Sequence, residues 1–185
     1  IISDKAVIKK PKEPQYQGLI DAELLWYDEI SKIGEIEEVP CVLNRNPFKI
    51  QKRDGVHPYL LDSEDMKQVL NKIFSFFNKI HKNKICDTSQ KDMHKMYYEK
   101  TINRVEPYAN LIKEYTSEKI KINGLTTLNP FYNKRKLKRY FNELIAENFC
   151  LIHGDLTFSN CLWDSKSKTL SIFDPRGKFG SSSLV

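Results

Sequence analysis

Two polar clusters in the last part of the chain interrupt apolar segments that have the composition of short strands. The stretch LIHGDLTFSNCLWD, residues 151–164, places His153, Asp155 and Asn160 between apolar residues, and Asp174 follows the apolar segment LSIF. This alternation of apolar and polar runs predicts a loop held at its ends by strand-like segments. Carboxylate and amide oxygens on such a loop suit a hard cation such as Mg²⁺, which takes its remaining ligands from water and phosphate.

Asp155 and Asp174 allow a division of chemical roles. A carboxylate that does not bind the cation is free to orient a hydroxyl group and to accept its proton. A lone histidine beside such a loop is more commonly a packed structural residue, and we therefore expect His153 to brace the loop rather than to transfer a proton. The alternative without chemistry is a turn that the aspartate and asparagine side chains cap.

The segment HGDLTFSN followed by FDPRG resembles the catalytic loop and metal-binding aspartate of the aminoglycoside phosphotransferase and choline kinase family. HGDLTFSN has the spacing H-x-D-x-x-x-x-N of the kinase catalytic loop. Members of this family are small-molecule kinases with a protein-kinase-like fold. The resemblance implies that Asp155 is the catalytic base and that Asn160 and Asp174 hold Mg²⁺.

The resemblance also implies a reaction and its cofactors. The reaction moves the γ-phosphoryl group of ATP to a hydroxyl group of a small molecule, with Mg²⁺ bound beside the nucleotide. A sugar, an amino alcohol or an aminoglycoside each fits this description of the acceptor. The DPRG form is similar to relatives associated with bacterial surface-polysaccharide synthesis, which favours a sugar-type acceptor.

The N-terminal third offers the second half of such a site. A kinase-like N-lobe needs a strand lysine that pairs with the nucleotide phosphates and a helix glutamate that holds this lysine. The segment AVIKK offers Lys9 or Lys10, and the helix predicted from Leu19 offers Glu23. AVIK matches the V-A-I-K pattern and favours Lys9, but Lys10 stays open because strand alternation turns one of the two inward. Without the C-terminal motif, this lysine and glutamate would be an ordinary exposed pair.

The sequence departs from the family pattern in three places. No glycine-rich loop precedes the lysine strand, and the chain ends soon after Asp174, so we interpret it as a fragment or a shortened member of the family. DPRG replaces the usual DFG, where Pro175 fixes the backbone and Arg176 can pair with a carboxylate or phosphate. The alternative function is a catalytically inactive, kinase-like nucleotide-binding or regulatory module.

Periodicity along the chain predicts an α+β, protein-kinase-like bilobal fold. Residues 1–57 form a partial N-lobe with the lysine strand, the glutamate helix and the strand FKIQKRDG entering the hinge, and residues 58–185 form a mainly helical C-lobe. Further strands are predicted at VPCVL and PFKIQKR. Helices are predicted from Leu19 to Ile33, from an N-cap at Ser63 to about Asn83, from near Ser89 to before Pro107, and after Asn129 with Phe131, Leu137, Tyr140, Phe141, Leu144 and Ile145 facing inward.

Composition excludes several classes of protein. The 185 residues are 40% hydrophobic, which predicts a folded domain, and their formal charge of +6 suits anionic small molecules, nucleic acid or simply solubility. The four cysteines contain no CxxC pair, so neither a zinc ribbon nor a disulfide framework is predicted. No apolar run reaches the roughly 20 residues of a membrane span, and we expect a cytoplasmic protein without membrane contact. The basic run NKRKLKRY falls on the polar face of a predicted helix, so we expect no nucleic-acid partner.

Overall fold

The computed structural model of the chain describes residues 1–82, 84–87, 90–143 and 148–176, without the side chains of 84–87 and 148. Several sequence predictions fall outside these ranges. They are the end of a helix at Asn83, the start of another near Ser89, the inward-facing Leu144 and Ile145, and the glycine of DPRG at position 177.

Strands and helices alternate along the described chain. The strands are β1 (Ala6–Ile8), β2 (Val42–Arg45), β3 (Phe48–Gln51), β4 (Lys84–Asp87), β5 (Lys119–Ile122), β6 (Leu125–Leu128), β7 (Asn148–Cys150), β8 (Cys161–Asp164) and β9 (Thr169–Ile172). The helices are α1 (Gln17–Ile33), α2 (Ser63–Ile80), α3 (Gln90–Met93), α4 (Lys100–Val105) and α5 (Lys134–Glu143), with a π-helical segment at His94–Glu99 between α3 and α4. Short 3₁₀ turns lie at Pro14–Tyr16, Pro58–Leu60, Glu106–Leu111 and Phe158–Asn160.

Contacts within the chain divide it into two compact units. One unit comprises residues 1–86 together with the segment that begins at Phe149, and the other comprises residues 87–148. Each unit contains both helices and strands, so the fold class is α+β, as the sequence predicts. The lobe boundary between residues 57 and 58 stays a prediction.

The main sheet of the first unit has three antiparallel strands in the order β1-β3-β2. Val7 of β1 lies opposite Ile50 of β3, and an antiparallel bridge joins Ile2 to Val7. Phe48 and Ile50 are buried, which follows from the alternation of side chains along β3. The sheet therefore presents one apolar face to the core and carries the lysine strand at its edge.

α1 packs against this sheet and is the helix that the sequence predicts to carry Glu23. The helix begins at Gln17 rather than at Leu19 and ends before Gly34. Gly34 has a φ of 122°, which residues with a side chain rarely adopt and which therefore stops the helix. Trp26 and Tyr27 are almost completely buried, so α1 is anchored by large aromatic side chains.

α2 has a different N-cap from the predicted one. Asp62, not Ser63, caps the helix, because its carboxylate accepts the backbone N–H groups of Glu64 and Asp65 at 3.0 and 2.9 Å. An aspartate here also places a negative charge at the positive end of the helix dipole. The predicted apolar face is present and buries Val69, Ile73, Phe76 and Ile80.

β8 and β9 form an antiparallel hairpin that directly follows the polar loop. Cys161 pairs with Ile172 and Trp163 pairs with Leu170, and all four side chains are buried. They join the buried faces of α1, α2 and β3 in one hydrophobic core. Burial raises the pKa of the Cys161 thiol to about 11, so this thiol stays protonated at neutral pH.

Gly55 packs directly on the backbone of this hairpin. Its φ is 142°, and a Cβ at this position would lie 2.7 Å from the carbonyl oxygen of Trp163. Val56 exchanges two backbone hydrogen bonds with Trp163, at 3.0 and 2.8 Å, which fix the two segments against each other. We expect Gly55→Ala to lower the free energy of unfolding by about 3 kcal/mol, measured by urea denaturation.

Gly18 provides the matched control for this substitution. It lies in α1, and a Cβ built on it meets no atom within 4 Å. We expect Gly18→Ala to raise the free energy of unfolding by about 0.5 kcal/mol, because alanine favours the helix and restricts the unfolded chain. Equal stability of the two variants would contradict the close packing of Gly55 on Trp163.

The second unit contains a hairpin where the sequence analysis expects mainly helices. β5 and β6 pair in register around Asn123 and Gly124, which have φ values of 50° and 83°. An Asn-Gly pair between segments of alternating apolar residues is a strong signal for a tight hairpin turn. The segment KINGLTTL carries this signal, but it lies between the helices predicted before Pro107 and after Asn129, where no element was predicted.

The helix predicted after Asn129 also differs in its start and in its burial. Asn129 is buried, and its Nδ2 donates to the carbonyl groups of Glu114, Tyr115 and Ser117, so it holds a loop before α5 begins at Lys134. Leu137 and Phe141 are half-buried, and Phe141 stacks on Tyr97, so these two residues face inward as predicted, whereas Tyr140 is exposed.

In the described ranges, no helix combines the length and apolarity needed to cross a membrane.

Candidate active site

The polar loop predicted from the sequence connects β7 to the β8–β9 hairpin. It has no regular structure before the 3₁₀ turn at Phe158–Asn160. The N–H of Phe173 donates to the carbonyl of Asn160 at 3.1 Å, which extends the pairing of β8 with β9 by one step. Asp174 follows directly, so Asn160 and Asp174 lie at the same end of the hairpin.

His153 is buried inside this loop, with 1% of its surface exposed. Its Nε2 lies 3.0 Å from the carbonyl oxygen of Phe173, and its Nδ1 lies 3.4 Å from the backbone nitrogen of Asp155. The indole of Trp26 makes an edge contact with the imidazole and donates to the carbonyl of Ile152 at 2.8 Å. These contacts tie the loop to α1 and to the end of β9.

The imidazole of His153 is neutral at pH 7. Burial lowers its pKa to about 4, and the hydrogen bond to Phe173 and the nearby charges of Asp155 and Asp174 offset this only partly. A carbonyl oxygen can only accept, so we assign the proton to Nε2 and the acceptor role to Nδ1. A neutral histidine with both nitrogens engaged by the backbone suits the bracing role expected for it.

Protonation of His153 is expected to destabilise the fold in acid. The unfolded residue takes up a proton near pH 6.5, whereas the folded residue does so only near pH 4. The unfolded state therefore binds more protons in this window, and stability falls as the pH falls from 6.5 to 4, by on the order of 3 kcal/mol. Urea denaturation at several pH values measures this slope.

His153→Gln serves as the comparison, because a glutamine amide donates to the Phe173 carbonyl but does not titrate. We expect a flatter dependence of stability on pH for this variant. Burial also lowers the pKa of His81, but this residue is present in both proteins and its effect cancels in the difference. Parallel pH curves for the two proteins would show that His153 does not titrate as its burial requires.

Lys9 joins two acidic residues from distant parts of the chain. Its Nζ contacts Oε1 of Glu23 on α1 and Oδ1 of Asp174, which is 165 positions away in the sequence. The side chains of Lys9 and Glu23 are 14% and 10% exposed, whereas that of Asp174 is 50% exposed. Of the two lysines that the sequence leaves open, Lys10 is exposed and Lys9 makes these contacts.

Burial and charge act in opposite directions on Glu23. Loss of hydration raises the pKa of this carboxyl, and the neighbouring ammonium of Lys9 lowers it. Desolvation is the larger effect, so the pKa of Glu23 lies above its usual value despite the neighbouring ammonium of Lys9. Asp174 sits on the other side of the lysine with a φ of 58°, a conformation that turns the chain sharply after Phe173.

Asp155 and Asn160 are connected through the backbone of the loop. Nδ2 of Asn160 donates to the carbonyl of Asp155 at 2.8 Å, which orients the amide and leaves its Oδ1 as the atom suited to a cation. The Asp155 carboxylate is 41% exposed and accepts from Nε of Arg176 at 3.2 Å. The arginine of DPRG thus pairs with a carboxylate, which is one of the two partners that its sequence position suggests.

The donor set at the end of the hairpin fits Mg²⁺ bound together with a nucleotide. Among the described residues, no group of three or more His, Cys, Asp and Glu side chains is arranged to hold a metal by itself. Nucleotide-associated Mg²⁺ does not need such a group, because one or two protein oxygens, phosphate oxygens and water complete its shell. Asn160 offers an amide oxygen, and the half-exposed Asp174 offers a carboxylate.

Two open clefts of the first unit adjoin these residues. One, of about 400 Å³, is lined by Lys9, Lys10, Glu23 and Asp174 together with three isoleucines, Ile1, Ile8 and Ile20. The other, of about 430 Å³, is lined by Phe77, His81 and the loop from Ile152 to Thr157. The first cleft therefore exposes two lysines beside two carboxylates, and the second exposes the Asp155 carboxylate as a hydrogen-bond acceptor.

Two residues that shape the site are missing from the sequence predictions. Trp26 supports the loop through its indole N–H, and Gly154 allows the close approach of Arg176. The glycine of HGD is the only signal for the second role, because a glycine between two functional residues marks a position with unusual backbone or little space. Nothing in the pattern of α1 distinguishes Trp26 from any other core aromatic residue.

Comparisons of the chain with protein-family models, with curated proteins and with solved structures found no match.

Proposed function

We propose that the chain belongs to a small-molecule kinase of the aminoglycoside phosphotransferase and choline kinase type, with a protein-kinase-like bilobal fold. The observation that carries this proposal is the contact of Lys9 with both Glu23 and Asp174. A lysine held by a helix glutamate beside a metal-binding aspartate is the arrangement that binds nucleotide phosphates in kinases. Asp174 comes from the segment with the specific resemblance to the family, and Lys9 and Glu23 come from the N-terminal third in the order that this resemblance implies.

Each residue has a role that its surroundings support. Lys9 neutralises phosphate oxygens, and Glu23 holds Lys9 in place from the buried face of α1. Asn160 and Asp174 would hold Mg²⁺, which when bound supplies positive charge against the β- and γ-phosphates. Asp155 lies beside the second cleft, where it orients the acceptor hydroxyl and accepts its proton as the phosphoryl group transfers.

The positioning of the reactants and the neutralisation of phosphate charge account for most of the rate enhancement in such a site. Phosphoryl transfer requires little covalent help from the protein, so prearranged cations and a fixed acceptor supply the main stabilisation. The backbone hydrogen bonds of His153 and Asn160 keep the loop in one conformation before any ligand binds. We propose a hydroxyl-bearing small molecule, with a sugar favoured, as the acceptor.

Nucleotide binding and phosphoryl transfer test this proposal together. The protein is titrated with ATP in the presence and absence of Mg²⁺ by calorimetry, and is then incubated with γ-labelled ATP and hexose, choline and aminoglycoside acceptors. Mg²⁺-dependent binding with transfer to a hydroxyl supports the kinase. Binding without transfer favours the inactive nucleotide-binding module, and the absence of ATP binding contradicts both.

A further inference from the structure

We infer that Arg176 is a positioning residue that fixes the Asp155 carboxylate and couples it to the segment that contains Asp174, a proposed metal ligand. This inference rests on the proposed function and extends it to a residue outside the family motif residues assigned above. It follows from the main-chain position of Arg176, from the space beside Gly154 and from the contact between the two side chains.

The backbone of Arg176 is attached to the catalytic loop. Its N–H donates to the carbonyl of His153 at 2.9 Å, so the segment after Asp174 lies along the HGD segment. Pro175 restricts the chain just before this bond, because its ring fixes φ. The position from which the arginine side chain leaves the backbone is therefore set by the same histidine that braces the loop.

Gly154 makes this approach possible. Its φ is 77°, and a Cβ built on it would lie 3.2 Å from Cβ of Arg176. A side chain at position 154 would thus meet both an unfavourable backbone conformation and a crowded neighbour. The glycine between His153 and Asp155 serves the contact with Arg176 as well as the turn of the loop.

The side chain of Arg176 engages only one edge of its carboxylate partner. Nε donates to Oδ2 of Asp155 at 3.2 Å, and the two side chains are 52% and 41% exposed. A single contact from a planar guanidinium restricts the rotation of the carboxylate while Oδ1 stays available for an acceptor hydroxyl. Asp155 lines the cleft beside the loop, where an acceptor would bind.

The charges of the site give Arg176 a further task. Glu23 and Asp174 share the ammonium of Lys9, whereas Asp155 has the guanidinium of Arg176 as its cation. A nucleotide brings additional negative charge toward these carboxylates. Arg176 offsets the charge of Asp155 and holds it in place, so its loss should slow transfer more than it weakens ATP binding.

The test compares Arg176→Gln, Arg176→Lys and Arg104→Gln in steady-state kinetics with ATP and the best acceptor. We expect Arg176→Gln to lower kcat by about 10- to 100-fold, because a misplaced base loses its alignment, while KM for ATP changes less than about twofold. Arg176→Lys should recover part of kcat, since lysine keeps the charge but not the planar geometry. Arg104 is exposed on α4 and serves as the control with unchanged kinetics.

A nuclear magnetic resonance measurement reads the contact itself without requiring turnover. The Nε–H signal of Arg176, assigned by its disappearance in Arg176→Lys, should shift in Asp155→Asn and stay in place in Asp174→Asn. The inference alone is overturned if the wild type is active and Arg176→Gln leaves kcat unchanged. It is also overturned if the Nε–H signal of Arg176 does not shift in Asp155→Asn. A wild type that neither binds ATP nor transfers phosphate overturns the proposed function and the positioning role with it.

Discussion

Lys9→Met is expected to reduce both ATP affinity and turnover, with kcat/KM for ATP falling by about 10²- to 10³-fold. Methionine has a similar length and fills the same space, but it removes the lysine charge from the cleft that also holds Glu23 and Asp174. Glu23 and Asp174 lose their shared partner as well. Because burial already raises the pKa of Glu23, this carboxyl is expected to take up a proton more readily in the variant.

Lys10→Met is the matched control for this substitution. Lys10 is the next residue along the chain; it is exposed and lines the same cleft, but the ion pairs of Glu23 and Asp174 are made by Lys9. We expect Lys10→Met to lower kcat/KM for ATP much less than Lys9→Met does, by about tenfold at most, because an exposed charge contributes little. Calorimetric ATP titration of both variants separates binding from turnover. A larger loss of ATP affinity in Lys10→Met than in Lys9→Met would assign phosphate binding to Lys10.

Local sequence indicated most of the elements around the site, because the first unit obeys simple periodicity. Alternation in β3 and the helical spacing in α2 both place apolar residues on one face, and the structure buries those faces. The choice between Lys9 and Lys10 could not be made in this way. The alternation of side chains along a strand predicts only that either Lys9 or Lys10 turns inward. Which lysine contacts Glu23 and Asp174 depends on where the folded chain places these two carboxylates.

Other features depend on competition between neighbours or on contacts far apart in sequence. Asp62 and Ser63 are both good helix caps, and the helix uses the one whose carboxylate reaches two backbone N–H groups. The approach of Arg176 to Gly154 depends on how the loop folds back on the end of β9, which no local pattern encodes. The hairpin around Asn123 and Gly124 does have a local signal, the Asn-Gly pair, but a search for helical periodicity does not detect a tight turn.

Asp155→Asn is expected to lower turnover by about 10²- to 10⁴-fold while ATP and Mg²⁺ binding stay close to wild type. The carboxylate faces the cleft lined by the polar loop, whereas the proposed metal ligands are Asn160 and Asp174. The asparagine keeps the shape of the side chain and its backbone contacts, including the N–H directed at His153. A loss confined to turnover is therefore the signature of a group that acts on the acceptor hydroxyl.

Asp174→Asn is the comparison that separates the base from the metal site. It removes a formal charge beside Lys9, so we expect weaker binding of Mg²⁺ and ATP together with lower turnover. Single-turnover assays measure the transfer step, and calorimetric titration of ATP at several Mg²⁺ concentrations measures the binding step. Undiminished single-turnover rates in Asp155→Asn would remove the base assignment. Equal losses of Mg²⁺-dependent ATP affinity in both variants would instead mean that Asp155 belongs to the metal and nucleotide site, because a base acting only on the acceptor leaves that affinity intact.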